Sequence, residues 1–144
     1  MMVSFFISVH ACPSQAAAGP MIQLGGQSFA TLAVALDALG TTMMPLSFEA
    51  ARASLAQFDR MYTEPDGSFV WVSAQGTVPW QVDGNLFDRD ERLLFVDLRG
   101  SCPAEQFDQL LRAFGWPKTR LIFQLTREAV LLDENEFRRH AAEH

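Results

Sequence analysis

From Met21 onward, apolar positions recur first with a helical period and then with a strand period. Ser28 is placed to cap a helix. Phe29, Leu32, Ala33, Leu36 and Leu39 follow three to four residues apart, and Gly40 sits where a helix commonly stops. Ser47 is a second cap, ahead of a stripe of Phe48, Ala51, Leu55 and Phe58. The short spacing between them predicts an antiparallel helical hairpin.

After the turn-forming Glu64-Pro65-Asp66-Gly67 the period changes. Phe69 to Val72 is a run of strand formers, and Trp80–Phe87 and Arg92–Arg99 alternate between apolar and polar positions. Cross-strand partners share a face, so parity constrains how the last two segments pair. A hairpin with the odd loop Arg89-Asp90-Glu91 places Val82 with Leu98, Gly84 with Val96 and Leu86 with Leu94. An even loop would put Asp97 opposite Val82 on the apolar face, a costly slip. The odd loop therefore predicts Asp83 opposite Asp97, and Gln81 opposite Arg99.

Pro103 and Glu105 suit a helix start, and Phe107, Leu110, Leu111 and Phe114 form a clean stripe. Thr119–Leu125 and Ala129–Leu132 read as strands, and Asp133 caps a last helix carrying Phe137. The expected fold is α+β: an N-terminal helical hairpin, then a mainly antiparallel sheet of four to five strands with helices on one face, in the order ααβββαββα. Residues 21–144 are expected to form this single domain.

Residues 1–20 contain no Lys, Arg, Asp or Glu. They are expected to be a leader that is disordered or precedes a true start at Met21. A secretory or lipid-anchoring signal is the alternative. The apolar run Met2–Val9 is short for one, and its n-region has no charged side chain. The expected compartment is the cytoplasm, or secreted and lipid-anchored if the signal reading holds.

The chain has 144 residues, of which 49% are apolar and 19% charged, which excludes general disorder. Two cysteines exclude a disulfide scaffold. Seventeen acids against eleven bases give a net charge of −6 and no basic stripe, so nucleic acid is not an expected partner. No apolar run is long enough to predict a membrane span. Walker, G-x-G-x-x-G, G-x-S-x-G, H-E-x-x-H and C-x-x-C patterns are all missing from the sequence, and no cofactor is implied.

Three features suggest chemistry. Asp83 and Asp97, if paired, could share a proton or hold a divalent cation, with Arg99 as an electrostatic stabiliser. Cys102, at the expected start of the third helix, would have a stabilised thiolate but lacks a positioned base. Phe87, Phe95, Trp71 and Trp116 fall on or near the sheet, and the predicted register puts Phe87 and Phe95 on the face of Asp83 and Asp97. Aromatic residues rimmed by charge suit a protein interface. The leading expectation is thus a small acidic, non-catalytic protein-binding or regulatory module that uses the exposed sheet face to bind a protein partner or itself. The alternative is a small metal-assisted hydrolase built on Asp83 and Asp97.

Overall fold

A computed structural model describes residues 1–142. The chain runs β1 (Met2–Ala11), β2 (Ala17–Leu24), β3 (Gln27–Ala33), α1 (Leu36–Leu39), α2 (Phe48–Ala56), β4 (Met61–Thr63) and β5 (Ser68–Val72). It continues through β6 (Gln81–Arg89), β7 (Arg92–Pro103), α3 (Ala104–Ala113), β8 (Leu121–Leu125), β9 (Val130–Leu132) and α4 (Glu134–Ala141). Among the described residues the strands form one nine-stranded sheet in the order β2-β3-β9-β8-β1-β7-β6-β5-β4. Every neighbouring pair is antiparallel.

This overturns the expected helical hairpin, the sheet of four to five strands and the order ααβββαββα: the fold is mostly strand, with short helices. Strands come first, and the segment after Ser28 is β3 rather than a helix. The local cause is Gly25-Gly26, both at positive φ, which closes a two-residue hairpin between Leu24 and Gln27. Once in a strand, Phe29 turns into the core while Leu32 pairs with Leu131 on the opposite side. A spacing that would make one helical stripe is thereby split between two faces. What remains of the first helix is the four-residue α1, with no side-chain cap and no buried residue. The second helix forms as read: Ser47 accepts a hydrogen bond from the Ala50 amide at 3.0 Å, and Ala51 and Leu55 are buried.

The larger correction concerns residues 1–20. Rather than lying outside the fold, they supply β1 and the first half of β2. β1 is a central strand, flanked by β7 and β8. Its sequence alternates: Val3, Phe5, Ile7, Val9 and Ala11 are buried on one face, while Ser4 and Phe6 between them are exposed on the other. The missing charges fit a buried strand as well as they fit a leader.

α2, α3 and α4 all pack on the Val3–Ala11 face, where Phe107, Phe123 and Phe137 form the centre of the core. Asp133 caps α4 by accepting from the Glu136 amide at 2.9 Å. Glu136 in turn accepts from the Ala30 amide at 2.8 Å, tying α4 to β3. No helix among the described residues is long and apolar enough to cross a membrane.

Candidate functional site

The opposite face of the sheet, called here the second face, collects the polar alternation of β1, β6 and β7. Its register depends on the β6–β7 turn. Asp90 and Glu91 both have positive φ and form a two-residue turn. A bulge follows, in which Asp88 pairs with Leu93 but Phe87 with Phe95, leaving Leu94 over. The bulge supplies the odd residue that parity requires, so Val82, Leu86, Val96 and Leu98 stay in the core. It also moves the register two positions from the one expected. Asp83 pairs with Arg99, and Asp97 pairs with Asn85.

The two carboxylates are therefore not cross-strand partners. Asp83 is exposed and accepts from Gln81 Nε2 at 3.0 Å. Asp97 is half-buried and accepts from Ser8 Oγ at 2.6 Å, across the β1–β7 ladder. Among the described residues, no three His, Cys, Asp or Glu side chains group in a way that could hold a metal ion.

The aromatic candidates divide. Phe87 and Phe95 stack with centroids 4.4 Å apart, and Phe95 stacks in turn on His10 at 5.3 Å. These three rings share the second face with Asp83, Asp97 and Arg99. Trp71 is not on that face. It is buried in the core, packed on Phe58 and Trp80, with Nε1 donating to the Asp59 carbonyl at 2.9 Å. Trp116 lies beyond α3, where Nε1 donates to Glu134 at 2.7 Å and Arg112 and Arg138 lie over its ring. Trp71 and Trp116 thus have structural partners away from the second face.

Cys102 is in β7, one residue before Pro103, the N-cap of α3, and is fully buried. Burial, and then the charge of Asp108, push its thiol up to about 12. A thiol held protonated in this way is a poor nucleophile. Of the histidines near the end of the sequence, His140 is on α4 and His144 lies outside the described residues.

The expectation that residues 1–20 lie outside the fold left two of their side chains, His10 and Phe6, unread, and with Phe6 a third side chain from the β8–β9 turn. His10 is buried on the second face, with Nε2 3.3 Å from Gln124 Oε1 and Nδ1 without a hydrogen-bond partner among the described residues. Burial lowers its pKa, against smaller upward effects of the Gln124 hydrogen bond and the Asp97 charge. Its end of the face is partly covered by the α1 connection. There Leu36 and Leu39 share a groove with Leu32, Leu131 and Gln124, and Arg89 donates to the Gly40 carbonyl.

Phe6 is the second, 37% exposed and opposite Arg99 in the ladder. The Arg99 guanidinium lies over its ring at 4.9 Å, and that of Arg127, the third, at 5.5 Å. Neither arginine makes an ion pair among the described residues. Beside them opens a cavity of about 380 Å³ where β8 ends short of β1's first residues. The strand alternation of Val3 to Val9, with Ser4, Phe6 and Ser8 between, was the sequence signal for this cluster. Comparison with protein-family models, with curated proteins and with solved structures found no match for the chain.

Proposed function

We propose that this chain is a non-catalytic binding module that docks a protein partner on the second face of its sheet. The observation that carries the reading is the half-exposed Phe6 with two arginines over its ring and, among the described residues, no ion pair on either. Aromatic rings and arginines are enriched among the residues that dominate the energetics of protein interfaces. The helices that build the core, α2 to α4, lie on the other face, and the α1 connection covers part of this one at its His10 end, away from Phe6. Tyr62 on β4, 60% exposed, and Asp83 on β6 extend the same surface toward the sheet edge. The hydrolase reading has less support, because Asp83 and Asp97 are offset along the ladder and each has its own side-chain donor.

A random peptide display against the full chain tests the reading. Enriched sequences should bind the wild type and lose most of their binding to Phe6→Ser, while Glu49→Gln on the helical side leaves binding intact. Concentration-dependent sedimentation that Phe6→Ser abolishes would identify the partner as a second copy. The reading fails if no sequence is enriched and the chain sediments as a monomer. Enriched peptides indifferent to Phe6→Ser would also sink it.

A further inference from the structure

The cavity beside Phe6 combines an apolar floor with a cationic rim. Phe5, Ile7, Leu125 and Phe137, all buried, line it from the core side, and the exposed Phe6, Arg99 and Arg127 complete the lining. His140 also lines it and carries a buried Nδ1 with no hydrogen-bond partner among the described residues. A volume of about 380 Å³ is at the small end of the range for small-molecule sites. Two guanidiniums share one ring, and neither makes an ion pair among the described residues, although Asp83 stands opposite Arg99 in the β6–β7 ladder.

We propose that this cavity binds a carboxylate carried on a short apolar body. Arg99 and Arg127 read the charge, Phe6 holds both guanidiniums in place, and the apolar body occupies the floor. Arginine suits this task because its planar fork binds both oxygens of a carboxylate. Glu128 also lines the cavity, so the three charged side chains there sum to one positive charge. That balance favours a singly charged carboxylate over a doubly charged phosphate. The inference deepens the reading above and rests on it for the surface. It names the group recognised, whether from a free small acid or from the apolar last residue of a partner chain.

The test is a titration of the full chain by amide-detected NMR, with hexanoate, benzoate, N-acetyl-leucine, N-acetyl-leucinamide and inorganic phosphate as probes. At least one of the three carboxylates should saturate in the millimolar range or below and shift the amides of Phe6, Arg99 and Arg127. The uncharged amide and phosphate should bind at least about tenfold more weakly, as expected for loss of a charge-assisted contact. Arg127→Gln, in an exposed turn, should weaken the carboxylate roughly tenfold or more without moving the melting midpoint. Glu128→Gln should tighten it. Binding of hexanoate as strong as that of N-acetyl-leucine points to a free acid, and preference for N-acetyl-leucine points to a chain end.

The inference is overturned if none of the three acids saturates, if the amide or phosphate binds as well, or if Arg127→Gln changes nothing. Peptides that depend on Phe6 but not on Arg127 would leave the docking surface standing without this pocket. Acids that bind while no peptide is enriched would leave the pocket standing without a protein partner.

Discussion

Replacing Ile7 by Ala probes whether the first strand belongs to the core. Ile7 is 1% exposed, in the middle of β1, with Leu98 beside it on β7 and Leu125 on β8. Truncating a buried Ile to Ala costs about 2–5 kcal/mol, depending on how far the surroundings collapse. Here both flanking strands are fixed by ladder hydrogen bonds, so little collapse is available and about 4 kcal/mol is expected. With a urea dependence of about 2 kcal/mol per molar, the unfolding midpoint should fall by about 2 M. Gln15→Ala, at an exposed position in the β1–β2 turn, should stay within about 0.5 kcal/mol of wild type.

Removing residues 1–20 is the stronger form of the same test. It takes Val3, Phe5, Ile7 and Val9 from the core, each worth about 1.5–3 kcal/mol of burial, a total comparable to a whole domain's stability of about 5–15 kcal/mol. It also bares the facing edges of β7 and β8. The shortened chain should show no cooperative unfolding. If Ile7→Ala shifts the midpoint no more than Gln15→Ala does, or the shortened chain melts like the full one, the central placement of β1 is wrong.

Other perturbations follow from the same structure. His10 is held below its usual pKa of 6.5 by burial, so the unfolded chain takes up a proton that the folded chain resists. Stability should therefore be fully present above pH 6.5 and decline as pH falls below it, and His10→Gln should flatten that part of a midpoint-versus-pH curve. Cys102, with its thiol raised to about 12, should resist a thiol reagent at pH 8 until the chain unfolds, whereas half-buried Cys12 should react first. Mass spectrometry of the labelled chain reads both sites. Mg²⁺ or Ca²⁺ should leave the melting midpoint in place, and Asp83→Asn should change stability by no more than about 0.5 kcal/mol. A rise of several degrees that Asp83→Asn removes would revive the metal-site reading.

Much of the chain was legible where local signals and burial agreed. Ser47 and Asp133 cap the helices they precede, the Phe107–Leu111 stripe is buried, and Val82, Leu86, Val96 and Leu98 share the core face. These outcomes depend on neighbours a few residues away, or on a parity that any antiparallel partner must respect. The sequence also held the alternation of β1, but a lone apolar strand at a chain start looks the same as an unfolded leader. Only β7 and β8, remote in sequence, make it a strand, since a strand's hydrogen bonds are completed by other segments.

The same dependence explains β3. Its spacing fits a helix as long as nothing stands beside it, and β2 and β9 supply ladder partners that give Phe29 and Leu32 separate faces to bury. The site was decided at a still finer scale. Parity placed Asp83, Asp97, Phe87 and Phe95 on one face, whereas which residue opposes which depended on where the extra residue was absorbed. The structure absorbs it in a bulge at Leu94 rather than in a three-residue loop, setting Asp83 against Arg99. Phe6, Arg99 and Arg127 come from three separate strands and turns, and they meet only because β1 lies between β7 and β8. Sequence alone therefore determined which residues are apolar, which can cap and which share a parity. Tertiary structure decided strand partners, register and the meeting of distant charges, because those are set by long-range hydrogen bonding and packing that no local window contains.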